Sequence, residues 1–200
     1  RIPFHNKAAY TSINGKNQFI LKGKNVTPKN LLNPFNTTNG LTVSTSVTNL
    51  TTDSNIYRFG GASVKFDMND TESTSTITFS GLWDMRSYIN SNSKIRLEQF
   101  IPTGIDTTKI SSIQVRLTSS TGNYYTTPVV TTDYNGDIWA TNSWNILSFD
   151  IANATTTGSP DSSSITSIQL IYNHGGSFVN TSNFRVNNMY VITPDLLDID

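Results

Sequence analysis

The chain is predicted to be an all-β protein that folds as a two-sheet antiparallel β-sandwich. Apolar and polar residues alternate in many short runs, as in residues 75–79, and this period of two is typical of strands with one buried face. No window shows sustained apolar spacing of three and four residues among good helix formers. The chain has 29 Thr, 24 Ser and 23 Asn. Thr suits exposed strand faces, whereas Ser and Asn suit turns, so composition and periodicity agree.

The strands follow one another along the chain, separated by turn-forming clusters such as 37–40, 121–123 and 158–161. Alternating runs predict strands at residues 62–66, 75–79, 95–101, 113–117, 147–151, 168–172 and 184–191. Trp144 begins one of these strands and is predicted to pack in or near the core.

Two strands carry further detail. In the run 95–101, one face is apolar and the other carries Arg96 and Glu98. In the last run the apolar phase shifts from Val186 to Met189, which predicts a β-bulge at Asn187 and Asn188.

Charge divides the chain into three predicted segments: a basic arm at 1–30, a β-sandwich domain at 31–193 and an acidic tail at 194–200. Six basic residues precede the first acid, Asp53, although Lys+Arg and Asp+Glu are both 14. The arm, with a strand-like piece at 18–21, is either a solvated segment or an anchor that docks on an acidic protein surface. Because the first residue is arginine, we expect a processed product or an excerpt of a longer polypeptide.

Composition excludes several classes of protein. Without cysteine there is no disulfide framework, thiolate zinc site or cysteine nucleophile. Balanced charge argues against a nucleic-acid partner. No apolar run approaches the roughly 18 residues of a membrane helix, so no membrane insertion is expected.

Three stretches of sequence together resemble a known family. They are Asn33-Pro34-Phe35 with residues 57–66, residues 94–102 with 111–117, and residues 144–151 with 158–172 and 183–191. Their order resembles the galactose-binding-like jelly roll shared by carbohydrate-binding modules and by bacteriophage tail and fibre proteins. The resemblance spans roughly residues 31–192, and it implies two packed antiparallel sheets with loops at the rims.

The resemblance also implies a place for a structural calcium ion, between the Asn-Pro-Phe segment and the last strand. Asn36 and Asn187-Asn188 stand where the family commonly has acidic residues. Calcium affinity falls with the number of charged ligands. We therefore expect no metal site and no cofactor, or at most a weak structural calcium.

No enzyme signal stands out, and the chain is predicted to be non-catalytic. The only glutamates are Glu72, in a polar turn, and Glu98, where an ion pair with Arg96 on the same strand face would hold the pKa of Glu98 down. His5 and His174 belong to no metal-binding or nucleophile motif.

Aromatic residues in or beside loops are the candidate glycan- or partner-binding residues. Aromatic rings stack on the apolar faces of sugars, while polar side chains hydrogen-bond the hydroxyl groups. Packing at sheet ends or subunit contacts is the alternative. A second candidate surface is polar and would lie on one sheet if its two strands were neighbours. The aromatic candidates are Trp83, Tyr88, Tyr124, Tyr125, Tyr134 and Trp139, and the polar candidates are Arg96, Glu98, Gln114 and Arg116.

The resemblance and the composition lead to a first hypothesis of a structural or attachment module of a bacteriophage virion, such as a tail, fibre or head-decoration protein. Its partners would be other virion proteins or copies of itself, with surface glycans as a further ligand, and it would lie on the virion surface. The alternative is a carbohydrate-binding module of a secreted, extracellular polysaccharide-degrading enzyme. A third class is a small glycan hydrolase or lyase.

Overall fold

The computed structural model describes the backbone of residues 9–13, 16–20, 30–174 and 181–193, and the side chains of residues 30–174 and 183–193. Within these residues the chain is nearly all β-structure, with a single α-helical turn, α1 (Arg86–Ile89), and a 3-10 turn at Thr107–Lys109. The strands in chain order are β1 (Ala9–Ile13), β2 (Lys16–Ile20), β3 (Leu31–Asn33), β4 (Leu41–Val43), β5 (Val47–Asp53), β6 (Ser63–Met68), β7 (Thr74–Trp83), β8 (Lys94–Ile101), β9 (Ser112–Ser120), β10 (Asn123–Thr126), β11 (Ser143–Asp150), β12 (Thr155–Thr157), β13 (Ile165–Asn173) and β14 (Thr181–Ile192).

Two antiparallel sheets pack face to face, which confirms the predicted β-sandwich. Sheet I has the strand order β11-β8-β14-β6-β5, with β3 also paired to β14. Sheet II has the order β12-β10-β9-β13-β7-β4. Strands β1 and β2 form a separate antiparallel hairpin inside the predicted basic arm. The rest of residues 1–29 and the predicted acidic tail 194–200 lie outside the described residues.

The core lies between the sheets and is built by the alternating apolar residues. On β9, Ile113, Val115 and Leu117 are at most 1% exposed, and Ile168, Leu170 and Tyr172 of the neighbouring β13 are fully buried. Phe66 of sheet I contacts Tyr172 of sheet II, with ring centroids 5.8 Å apart, so the two inner faces interdigitate. In the described part of the chain, no helix is long and apolar enough to span a bilayer.

The predicted β-bulge at Asn187 and Asn188 is confirmed. The pairing of β14 with β8 shifts register between Asn187 and Met189, and Asn188 adopts a positive φ of 30°. The extra residue restores Met189 and Val191 to the core, where both are fully buried. It also places the side chains of Asn187 and Asn188 outside the hydrophobic core, where they hydrogen-bond other segments of the chain.

Two tryptophans occupy the reverse of their predicted positions. Trp139, predicted as a loop residue for binding, is only 4% exposed and belongs to the core. Trp144, predicted to pack in or near the core, lies half-buried on the outer face of β11, where its ring meets Phe100 edge-on at 5.6 Å. The physical reason is the phase of β11: Asn145, Leu147 and Phe149 point inward, so Trp144 points outward.

Candidate functional site

The outer face of sheet II is an open polar surface. The strand register places Thr126, Arg116, Gln169, Thr78 and Thr42 side by side in one row across five strands. Neighbouring strands lie about 4.8 Å apart, so this row is about 19 Å long. Gln169 Nε2 donates a hydrogen bond to Thr78 Oγ1 at 3.1 Å. The row presents hydroxyl, amide and guanidinium groups along a surface long enough for an extended ligand.

An aromatic ring lies beside this row. The guanidinium carbon of Arg116 on β9 is 4.3 Å from the ring centroid of Tyr124 on β10, which is a cation–π contact. The Nε of Arg116 is buried and has no hydrogen-bond partner among the described residues. Both side chains are partly exposed. The arginine therefore supports one side of a ring that remains accessible to a ligand.

The charge of this face is low. Its outward positions are occupied mainly by Thr, Ser, Gln and Asn, and among the described residues of sheet II Arg116 is the only charged side chain that faces outward. Gln114 lies one outward position from Arg116 along β9. A face of this composition is suited to hydrogen-bonding a neutral polar ligand and to stacking on it.

The outer face of sheet I is covered by two loops, in contrast to sheet II. Residues 54–62 cross it from the β5 edge, and the backbone N–H groups of Arg58 and Phe59 donate to Asn187 Oδ1 at 3.1 and 2.9 Å. Tyr134 reaches it from the β11 edge, where its N–H donates to Ile146 O at 2.8 Å. As a result Glu98, Arg185 and Asn187 are all buried although they point away from the core.

The second candidate surface required two neighbouring strands, and this condition is not met. Arg96 and Glu98 lie on β8 in sheet I, whereas Arg116 lies on β9 in sheet II. All three side chains point away from the core. Arg96 and Glu98 therefore lie on one outer side of the sandwich, and Arg116 lies on the other. Strand pairing joins residues distant in sequence, and alternation within each strand contains no information about its neighbours.

Glu98 also has a different partner from the one expected. Its Oε1 lies 3.4 Å from Arg58 Nε, and its Oε2 accepts a hydrogen bond from Asn188 Nδ2 at 3.2 Å. Burial raises the pKa of Glu98 to about 6, against the lowering effects of Arg58 and Asn188. The expected lowering of this pKa by Arg96 is thus wrong, because desolvation under the loop 54–62 outweighs the favourable contacts.

We expect Glu98→Gln to change how stability depends on pH between about pH 4 and pH 7. The pKa of Glu98 is higher in the folded chain than the ordinary 4.5, so the folded state holds the proton more tightly. The free energy of unfolding therefore falls as pH rises through this window, by about 2 kcal/mol for this group. Glutamine does not ionise, so the free energy of unfolding of the variant should not show this fall. Urea unfolding at about pH 4 and about pH 7 measures the difference. Glu72→Gln, at an exposed position, is the matched control, and identical pH profiles for wild type and Glu98→Gln would contradict the expectation.

The remaining aromatic candidates are dispersed. Trp83, at the end of β7, packs edge-on against Phe79 at 5.6 Å, and its ring lies over Gly81, where a Cβ atom would overlap it. Tyr88 lies on α1 and is partly buried against the core. Tyr125 also packs against the core, and its hydroxyl donates to Pro160 O at 3.0 Å. Two aromatic candidates contact a polar candidate: Tyr124 contacts Arg116 on sheet II, and Tyr134 contacts Arg96 on sheet I.

A serine and a histidine meet at one end of the sandwich, but they do not form a usable nucleophile site. Ser75 Oγ lies 2.8 Å from His174 Nε2 and 3.0 Å from Ser46 Oγ. Ser75 is fully buried and His174 is 2% exposed, and burial lowers the pKa of His174. A substrate carbonyl has no access to this hydroxyl. The arrangement is a buried hydrogen-bond network that joins β5, β7 and the end of β13.

The position that the resemblance assigns to calcium does not fit a cation. The two carbonyl oxygens there, Pro34 O and Ala62 O, both accept hydrogen bonds from Asn187 Nδ2, at 3.0 and 3.1 Å. The amide hydrogens thus stand where a cation would bind these oxygens. No group of three or more His, Cys, Asp or Glu side chains capable of holding a metal occurs in the described residues.

No protein-family model and no curated protein matches the chain. Among solved structures, a carbohydrate-binding module from the β-sandwich superfamily, described as promiscuous in specificity, aligns over 84% of this chain and 63% of its own, with 15% identity and a TM-score of 0.53. The family 11 carbohydrate-binding module from Clostridium thermocellum, in complex with a β-1,3-1,4-mixed-linked tetrasaccharide, aligns over 82% and 95%, with 14% identity and a TM-score of 0.50.

An exo-β-agarase aligns over 82% of this chain and 24% of its own, with 12% identity and a TM-score of 0.55. The chain thus spans less than two thirds of the first module's chain and about a quarter of the agarase. Identities this low establish the fold: the chain has the β-sandwich fold of carbohydrate-binding modules. The two-sheet architecture is consistent with the galactose-binding-like jelly roll that the sequence resembles.

Some residues of the open face were not singled out from the sequence. Gln169 and Thr78 complete the row with Arg116, and their outward phase was visible from the buried Ile168, Leu170 and Ile77 beside them. What the sequence lacked was the order of strands in sheet II, which brings β7, β13 and β9 together. Tyr134 is among the predicted loop aromatics, but its contact with Arg96 depends on a fold of the loop that the sequence pattern does not specify.

Proposed function

We propose that this protein is a non-catalytic carbohydrate-binding module that binds one glycan chain along the outer face of sheet II. The observation that carries the proposal is the Arg116-supported ring of Tyr124 beside the row of Thr, Gln and Arg side chains. A ring offers a stacking surface for a sugar, and the row offers donors and acceptors for its hydroxyl groups. The fold shared with carbohydrate-binding modules supports the same function.

A polysaccharide-degrading enzyme is the natural context of such a module, outside the cell where its substrate lies. The family 11 module and the agarase support this alternative among the sequence-based hypotheses, whereas the matched structures described above give the virion hypothesis no support. A non-catalytic role is supported by the buried Ser75 and by the separate surroundings of the two glutamates, since Glu72 is exposed and Glu98 is buried.

The number of exposed aromatic rings on the outer face of sheet II bears on whether the ligand is a crystalline or a soluble polysaccharide. Adsorption on a crystalline polysaccharide surface favours several coplanar exposed rings, while the described outer face of sheet II presents one, Tyr124. Hydrogen-bonding groups instead extend across the strands, and each of them can bind a hydroxyl group of a single glycan chain. We therefore propose a soluble or amorphous glycan as the ligand class, with the chain running across the strands along the row of Arg116.

We expect Tyr124→Ala to weaken binding to a retained glycan by about 10- to 100-fold, or about 1.4–2.8 kcal/mol. The probes are soluble β-1,3-1,4-mixed-linkage glucan and agarose in affinity gel electrophoresis, followed by calorimetry on the one that retards the protein. Tyr124→Phe should keep most of the affinity because it keeps the ring. Tyr57→Ala, at an exposed tyrosine without an arginine beneath it, is the matched control. Unchanged binding of Tyr124→Ala, or no retardation of the wild type by either glycan, would count against the proposal.

A further inference from the structure

The two outer faces of the sandwich share one arrangement. On sheet II, Arg116 lies beneath Tyr124 at 4.3 Å. On sheet I, the guanidinium carbon of Arg96 on β8 lies 4.9 Å from the ring centroid of Tyr134. Arg96 projects from β8, which is one strand in from the edge strand β11, and Arg116 projects from β9, which is two strands in from the edge strand β12. Tyr124 comes from β10, which lies between β9 and the edge of sheet II, and Tyr134 comes from the loop before β11, the edge strand of sheet I.

Tyr134 is exposed and its loop is held in place. The side chain is 47% exposed although it rests on Arg96. Asp133 Oδ1 accepts hydrogen bonds from the N–H groups of Asn135 and Asp137, both at 2.9 Å, and Asp133 N–H donates to Asp137 O at 2.9 Å. With the bond from Tyr134 N–H to Ile146 O, the turn is tied both to itself and to β11. A ring fixed in this way costs little conformational entropy when it binds a ligand.

Polar groups lie next to this ring. Arg96 and Glu98 are adjacent on the outer face of β8, about 7 Å apart along the strand. Arg58 pairs with Glu98 and lies 6.0 Å from the ring centroid of Phe59, which is 50% exposed. Arg58 and Tyr134 therefore lie over neighbouring outward residues of β8, Glu98 and Arg96, and Phe59 projects from the loop 54–62 beside Arg58. Rings separated by planar hydrogen-bonding groups match a sugar, whose apolar faces and hydroxyl groups alternate, better than the continuous apolar patch of a protein contact.

We propose that the Tyr134–Arg96 pair is a second carbohydrate-binding site, so that the module is bivalent. The inference rests on the proposed function and extends it to sheet I. The sheets of a sandwich are about 10 Å apart, and the two sites lie on their opposite outer faces. One glycan segment cannot contact both sites, so two chains, or two distant parts of one chain, are bound. The protein then cross-links a soluble polysaccharide, and it gains apparent affinity from the second contact.

The test compares wild type, Tyr134→Ala, Tyr124→Ala and the double variant with the mixed-linkage glucan or agarose that retards the wild type. Calorimetry with an oligosaccharide of that glycan should give two sites per wild-type chain and one for each single variant. Light scattering should show cross-linked polysaccharide with wild type alone, and apparent affinity for the polymer should fall about tenfold in Tyr134→Ala. Ile138→Ala, 81% exposed in the same loop, is the matched control.

The outcomes are separable from those of the proposed function. A wild type that binds one oligosaccharide, with Tyr134→Ala indistinguishable from it, would refute the second site and leave the first. A wild type that dimerises without glycan and loses dimerisation with Tyr134→Ala would show that this surface binds protein instead, which also overturns the inference. Absence of any binding by the wild type would overturn both proposals. Circular dichroism of Tyr134→Ala establishes that the exposed substitution leaves the fold intact.

Discussion

Replacing Arg185 with alanine is expected to lower the free energy of unfolding by about 3 kcal/mol, because it leaves Asp53 as an unpaired carboxylate in a buried position. Arg185 Nε lies 2.7 Å from Asp53 Oδ2, and Arg185 Nη1 donates to Asn183 O at 2.8 Å. The guanidinium carbon also lies 5.2 Å from the ring centroid of Phe100. The two residues are 7% and 8% exposed. We take the lower end of the range for buried pairs, since this one lies on the outer surface of sheet I rather than between the sheets.

The pH dependence of this pair has a definite sign. Burial raises the pKa of Asp53, but hydrogen bonds from Asn55 N–H and Arg185, with the charge of Arg185, outweigh it and lower the pKa below the ordinary 3.8. A lowered pKa means that the pair stabilises the fold fully at neutral pH. The stabilisation is lost as pH falls through the folded-state pKa, in the acid range below about pH 4.

Chemical denaturation of Arg185→Ala, Asp53→Ala and the double variant Asp53→Ala/Arg185→Ala measures this coupling as a thermodynamic cycle. The double variant should lose less than the sum of the two single losses, because it leaves neither charge unpaired. Arg86→Ala is the control, since its partner Asp84 is exposed and such pairs contribute little. A loss in Arg185→Ala no larger than that in Arg86→Ala would contradict the prediction.

Asn187→Asp is expected to destabilise the fold by about 3–5 kcal/mol. The Asn187 side chain is fully buried and makes four hydrogen bonds to the backbone, two as acceptor from Arg58 and Phe59 and two as donor to Pro34 and Ala62. A carboxylate keeps the two bonds that it accepts, but it faces the two carbonyl oxygens with no proton to donate. Pro34 O keeps the hydrogen bond that it accepts from Asn188 N–H at 3.1 Å, but Ala62 O loses the amide donor of Asn187. An unpaired buried acceptor costs about 1–3 kcal/mol, and a buried charge costs more.

Calcium provides the second half of this experiment. Because Asn187 Nδ2 already binds Pro34 O and Ala62 O, we expect the midpoint of thermal unfolding of the wild type to be unchanged by calcium or by a chelator. In Asn187→Asp, three oxygen atoms would converge, so added calcium should recover part of the lost stability. Asn36→Asp, at the partly exposed second position of the resemblance, is the matched control. A wild type that loses stability with the chelator would show that a cation is bound after all.

Much of the fold could be predicted because the alternation of apolar and polar residues along a strand and the burial of the inner sheet faces both depend on hydrophobicity. Val115 and Leu117 alternate with polar residues, and a strand with such a pattern has one buried face wherever it pairs. The bulge at Asn187 was visible for the same reason, since only an extra residue returns Met189 to the core phase. These features are determined within a few consecutive residues.

The site was less predictable because it is built across strands and loops distant in sequence. Glu98 was expected to pair with Arg96, two residues away, yet it pairs with Arg58 of the loop 54–62, which crosses sheet I because Asn187 binds its backbone. Trp139 was expected at the surface, but its loop folds so that the ring enters the core. Each outcome depends on a contact between segments that are distant in sequence, and the residue pattern of one segment does not indicate its contact with the other.

The sequence by itself thus determined an all-β sandwich, the inward and outward phases of its main strands and the chemistry of its polar faces. Only the tertiary structure decided that Arg116 and Tyr124 share one open face, that Arg96 and Tyr134 form a similar pair on the other, and that an amide group joins the Pro34 and Ala62 segments. The physical reason is that alternation is a local consequence of burial, whereas strand order and loop closure arise from the balance of many long-range contacts against the entropy of closing the chain between them.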